Sequence, residues 1–242
     1  MSKGLEYFKK VYHQVPNWVQ VMHDYSPAML DAYTAIRGEA FKSSVLSAVE
    51  KDELIASLNA GRLYKRSMQL HTQAGFNKGS KLEHLIEYFL VAAVYKQKEA
   101  LALSLHAVAD YLRAKNNVNV QPKDEYASIQ AIVDELISWT KDYDQSFLKH
   151  VKTAITETSD LDEIRNVLMS KGLVSEARKH LCLVGMYITE LKGSEAKNAV
   201  DVARLCGVTD AEFADLGYII IMTAGIPAWF EISDYLMPIS TQ

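Results

Sequence analysis

A chain of 242 residues, 49% of them apolar, with a net charge of −4, has material for one large core or two small ones. Its pI near 6.0 leaves no basic excess for nucleic-acid phosphates, and no stretch approaches the roughly 18 to 20 apolar residues of a membrane span, so neither partner is expected. The opening Met1-Ser2-Lys3-Gly4 lacks the apolar run of a signal peptide, and two cysteines 24 residues apart, Cys182 and Cys206, suggest neither a disulfide framework nor a zinc site; a cytoplasmic protein with buried free thiols is the expectation.

Only five prolines and eleven glycines interrupt the chain, and between them the apolar spacing is helical almost throughout. Ser26-Pro27 is a start signal, serine as N-cap and proline in the first helical position, where its missing N–H costs nothing. Leu82, Leu85, Ile86, Phe89, Leu90 and Ala93 form an apolar stripe at helical spacing, and Ser80 with Glu83 reads as a capping box before it. The polar, asparagine-rich run 115–124 closes on a proline and should separate a helix ending near Arg113 from one beginning near Asp124. Thr209 with Glu212 is a second capping box, followed by a second stripe and then Gly225-Ile226-Pro227-Ala228, where one helix ends and another begins, with Trp229 and Phe230 packing behind. No alternating strand pattern competes, so an all-α protein of about ten to twelve helices is predicted.

Part of the chain is written twice. Gly79 and Gly207 stand 128 residues apart, as do Gln97 and Gly225, and a capped helical stripe runs from Gly79 to Gln97 and another from Gly207 to Gly225. Such spacing predicts two helical repeats, 1–118 and 119–242, each too short to bury its stripes alone and therefore packed on the other or on partner subunits.

The order of short motifs carries a resemblance. Asp52-Glu53-Leu54-Ile55-Ala56, His71-Thr72-Gln73-Ala74 to Gly79, Ala93-Val94-Tyr95 and the Gly225-Ile226-Pro227-Ala228 turn resemble the carboxymuconolactone decarboxylase family, which includes the alkyl hydroperoxide reductase D-like (AhpD-like) proteins. Val15-Pro16-Asn17 and Ser26 to Leu30 are similar to the family's opening. The resemblance implies two AhpD-like helical repeats packed as a pseudo-dimer, a homo-oligomer such as a trimer, and a small organic acid or lactone as substrate. Peroxide-reducing relatives place Cys-x2-Cys-x3-His on one helix. Here that stretch is Tyr64-x2-Ser67-x3-His71, and in the second copy Lys192-x2-Glu195-x3-Ala199, so thiol-peroxidase chemistry is excluded unless Cys182 or Cys206 is recruited. The decarboxylase branch uses acid/base residues and survives this loss.

In the first copy, Tyr64, Ser67 and His71 share one helix face at i, i+3 and i+7, a phenol, a hydroxyl and an imidazole suited to moving a proton. Arg62, Lys65 and Arg66 beside them could attract a carboxylate; a solvated basic face is the plainer alternative, as hydrogen-bonded packing is for His71. The resemblance makes Glu53 the proton partner of His71. On one straight helix the two would be about 27 Å apart, so a shared site needs a turn, for which Asn59-Ala60-Gly61 is the only plausible break. The second copy has Ala199 in place of His71 and reads as mainly structural; His180 falls at the position of Asp52. No histidine or carboxylate spacing specifies a metal, and no phosphate loop or nucleophile elbow is present, so no cofactor is expected. Two functions stay open: a cofactor-free acid/base enzyme of the decarboxylase-like branch, or a non-catalytic helical protein retaining the assembly and a ligand pocket. A cavity of roughly 300 Å³ containing His71 favours the first, and a filled interior around it the second.

Overall fold

The computed structural model describes residues 2–158 and 160–237, and every regular element among them is an α-helix. There are thirteen among the described residues rather than ten to twelve. The surplus comes from short helices such as α2 (Asn17–Tyr25) and α13 (Pro227–Ser233), whose nine and seven residues are too few for periodicity to resolve.

The first three helices, α1 (Lys3–Tyr12), α2 and α3 (Pro27–Ala40), form a small aromatic cluster of their own around Phe8, which packs edge-on to Trp18 and stacks with Tyr33. Ser26 caps α3 as its sequence indicates, its hydroxyl accepting from Met29 N at 3.2 Å with Pro27 next. The central helix is α4 (Ala48–Gly61), closed by a Ser47–Glu50 capping box that the sequence reading overlooked. From Lys51 to Gly61 every residue is buried, charged ones included, which is the mark of a helix packed on all sides rather than on one face.

The chain then turns sharply. Leu63 takes a left-handed conformation (φ 57°) and Tyr64 N donates to Asn59 O at 2.8 Å, so α5 (Lys65–Asn77) folds back beside α4. Helix α6 (Leu82–Asn116) follows, kinked at Lys96–Gln97, where Gln97 has φ 51°. Ser80 does not cap it: Lys81 is the N-cap and makes no side-chain bond, while the Ser80 hydroxyl is turned inward to Glu53.

The polar connection is longer than its sequence suggested. Helix α6 runs on to Asn116 and α7 (Ile129–Trp139) begins only after Ser128, whose hydroxyl accepts from Ala131 N at 3.2 Å. Asp124 starts no helix because the chain there is tied into a loop, Lys123 N donating to the Tyr126 hydroxyl at 3.0 Å. Then come α8 (Ser146–Glu157), α9 (Leu161–Met169), α10 (Glu176–Thr189), α11 (Gly193–Leu205), α12 (Asp210–Ala224) and α13. Thr209 and Glu212 make the expected box, and Gly225 (φ 82°) ends α12 before Pro227 opens α13. Trp229 stacks on Tyr218, but Phe230 is 60% exposed rather than packed behind the turn.

Helices α10, α11 and α12 begin 128 residues after α4, α5 and α6. Left-handed residues recur at the same interval: Leu63 and Leu191 (57° and 58°), Gly79 and Gly207 (96° and 95°), Gln97 and Gly225 (51° and 82°). Contacts between the halves are crossed in the same sense. Lys51 Nζ lies 3.2 Å from Asp215 Oδ2, and Lys179 Nζ lies 3.0 Å from Glu87 Oε2. Leu46 N donates to Asp215 and Val174 N to Glu87, each at 3.1 Å. All four charged side chains are buried, so each needs its partner and these backbone bonds to offset lost hydration. Among the described residues no helix is long and apolar enough to cross a membrane.

Candidate functional site

Consecutive residues of α4, Asp52 and Glu53, serve two different neighbourhoods. Asp52 meets His71. The turn after Gly61 brings α5 antiparallel to α4, and His71 Nδ1 comes to 2.8 Å from Asp52 Oδ1 while Lys78 Nζ donates to Oδ2 at 2.5 Å. Burial alone would raise the Asp52 carboxyl, but the His71 and Lys78 bonds outweigh it and hold the pKa below the ordinary value. Burial pushes His71 below its usual 6.5, against the pull of Asp52. At neutral pH the pair is therefore a carboxylate and a neutral imidazole, with Nδ1–H donating to Asp52. Only 5% of His71 is exposed, and its ring stacks on Phe41 with centroids 5.1 Å apart.

Glu53 turns the other way, and its partner is Ser80 rather than His71. The Ser80 hydroxyl donates to Glu53 Oε1 at 2.6 Å. Glu53 is 3% exposed, and burial pushes its pKa up to about 7; the Ser80 bond opposes the rise, and the nearby Glu50 and Asp52 charges add to it. A carboxyl poised near neutrality can both take and give a proton. It also lies on the wall of a solvent-open cavity of about 620 Å³ between the halves, where Lys81, His84, Tyr88 and Arg178 converge with it. Arg178 Nε donates to Glu50 Oε1 at 2.9 Å and Nη1 to Glu212, which fixes the guanidinium at the cavity wall; burial would lower its pKa, but these two partners outweigh it and raise it.

The remaining predicted residues are dispersed. Tyr64 is the N-cap of α5, 48% exposed, and Ser67 is half-buried; neither hydroxyl makes a hydrogen bond among the described residues. Arg62 reaches across to α12, Nη1 donating to Thr223 O at 2.9 Å. Arg66 and Lys65 are exposed beside Trp18, on a separate open groove. Asp52, Ser80, His84 and Arg178 were missed by sequence reasoning. Asp52 adjoins Glu53 in the motif that carried the resemblance, so i and i+1 pointing to different faces was the available signal; Arg178 had none, since its role depends on the other half of the chain.

In the second half, the positions 128 residues after Glu53, His71 and Ser80 are Leu181, Ala199 and Val208, which carry no titratable group. Cys182 is buried and its thiol pushed up to about 12 by burial, and Cys206, half-buried, is also raised. Neither thiol is activated for nucleophilic work. Among the described residues no group of three or more His, Cys, Asp or Glu is placed to hold a metal ion. No family model, curated protein or solved structure matches the chain.

Proposed function

We propose that the chain is a duplicated helical unit of the carboxymuconolactone decarboxylase type, and that the cavity between its halves carries out cofactor-free proton transfer on a small organic acid or lactone with Glu53 as the acid/base group. One observation carries the chemical part: a buried carboxyl with its pKa lifted to about 7 faces a cavity of about 620 Å³ that also holds cationic side chains. Lys81 supplies positive charge for a substrate carboxylate, while Arg178, already paired with Glu50 and Glu212, offers the wall a fixed, charge-compensated guanidinium. In a decarboxylation, loss of CO₂ leaves an electron pair on the substrate carbon; protonated Glu53 delivers its proton there, and solvent reprotonates it.

The duplication is supported by the 128-residue recurrence of three helices and three left-handed residues, and by the crossed Lys51–Asp215 and Lys179–Glu87 pairs. A homo-oligomer, in the trimeric form implied by the resemblance, belongs to the same proposal; exposed Tyr25, Met29 and Leu205 are apolar surface available to it.

For His71 the packing favours a structural role. Its ring is stacked on Phe41, bonded to a buried carboxylate and absent from the wall of the Glu53 cavity.

A thermal-shift panel of small carboxylic acids and lactones, run on wild type, Glu53→Gln and His71→Ala, tests the assignment. A ligand that stabilises wild type and His71→Ala but not Glu53→Gln is expected. A panel in which no acid or lactone distinguishes wild type from Glu53→Gln, or silence across it, would overturn the assignment.

A further inference from the structure

A second cavity, of about 340 Å³, shares no lining residue with the first. It is framed by α1, the end of α3, the start of α4 and the end of α5. Lys10, Lys42, Lys78 and His13 stand around it, Tyr7 and Phe41 supply aromatic wall, and no aspartate or glutamate lines it. Two carboxylates reach these lysines from outside the cavity, Glu39 to Lys42 and Asp52 to Lys78. Behind Phe41 lies a further cation. Arg37 is 4% exposed, its guanidinium 4.6 Å from the Phe41 ring centre. Its Nη2 donates to the Tyr12 hydroxyl at 2.8 Å, its Nε has no partner, and it forms no ion pair among the described residues. Four fixed cations thus face two carboxylates around one concave, largely apolar space, in a chain whose net charge is −4. Negative charge is what this neighbourhood lacks, and low-dielectric walls concentrate its field within the cavity.

We propose that this cavity binds a small organic anion, with a carboxylate or phosphate head among Lys10, Lys42 and Lys78 and an apolar body against Phe41 and Tyr7. Lys78 links the ligand to the rest of the molecule. It already donates to Asp52, which holds His71, so an anion that draws on Lys78 alters the electrostatic environment of the imidazole. The lysines supply charge and the aromatic wall supplies contact area; a bare inorganic anion uses only the first.

Phenyl phosphate, benzoate and inorganic phosphate, titrated by calorimetry with the His71 ring followed by ¹⁵N NMR, test the proposal. One equivalent of phenyl phosphate or benzoate is expected to bind, to shift the His71 resonances, and to outcompete inorganic phosphate. The tighter of the two organic probes identifies the preferred head group. Lys10→Ala/Lys42→Ala replaces exposed residues that support no core, and it should weaken binding about tenfold or more. Glu53→Gln should leave this affinity unchanged, which separates the site from the interfacial cavity. Unaltered affinity in the double lysine variant, loss of binding in Glu53→Gln, or no binding of either organic probe at millimolar concentration would each overturn the proposal.

Discussion

Glu50 and Arg178 stand 128 positions apart in the chain and meet side chain to side chain, Arg178 Nε donating to Glu50 Oε1 at 2.9 Å. Each occupies the fourth position counted from the N-capping serine of its helix, Ser47 for α4 and Ser175 for α10, and those two serines share φ −68° and ψ 155°. Corresponding residues that touch one another lie where a two-fold relation would place its axis. The Glu53 cavity opens beside this contact, so the joint between the halves and the site are one region of the molecule.

The crossed buried pairs should be strongly coupled. Lys179→Met alone leaves Glu87 buried without its counter-charge and is expected to cost about 3–5 kcal/mol, as is Lys51→Met for Asp215. Adding Glu87→Gln or Asp215→Asn keeps an acceptor for the backbone N–H groups and should recover most of that loss. Urea denaturation of the two double-mutant cycles measures it; coupling below about 0.5 kcal/mol would show the pairs to be independent.

Gln97 occupies a left-handed backbone position, φ 51° and ψ −143°, at the site where the second half has Gly225. Glycine adopts that conformation without a Cβ penalty, so Gln97→Gly should stabilise the protein by about 1 kcal/mol, and Gly225→Gln should destabilise it by at least as much. Thermal denaturation of both variants reads the signs directly.

Glu53 makes stability fall with pH. Its folded pKa, about 7, lies above the ordinary carboxyl value of 4.5, so the folded state holds a proton that the unfolded chain has already released; the contribution is present below 4.5 and is lost as pH rises through 7. The penalty above pH 7 is on the order of 3 kcal/mol for a group this buried. Glu53→Gln should therefore gain stability relative to wild type as pH moves from 4.5 to 8, and a pH-independent difference in urea midpoints would contradict this.

His71 should remain a neutral imidazole protonated on Nδ1 at pH 7, visible in its ring ¹⁵N shifts. Asp52→Asn removes the group that raises the His71 pKa and should lower it further. An imidazolium at pH 7 in wild type would show that burial does not dominate.

Much of the architecture was legible because local physics reports it. The Ser26-Pro27 start, the Thr209–Glu212 box and the turn at Gly225 all formed as read, each being decided within a few residues of chain. Ser80 failed as a cap because a long-range partner, Glu53, competes for its hydroxyl, and no local pattern records that competition. The pocket geometry was equally hidden. Tyr64, Ser67 and His71 do fall on nearby turns, yet one is a helix cap, one idle and one sealed against Phe41, because the burial of α5 is set by α1, α4 and α6 around it. Glu53 was singled out for a partnership with His71 that the neighbouring Asp52 has instead, and its cavity is completed by Arg178 from the other half.

The most direct measurement is a ¹³C NMR titration of the side-chain carboxyls, with Glu53→Gln used to assign the Glu53 resonance. A midpoint at about 7 is expected for that carboxyl. A midpoint near the ordinary 4.5 would leave no proton-handling group poised on the wall of the interfacial cavity, and the proposed chemistry would have no acid to carry it.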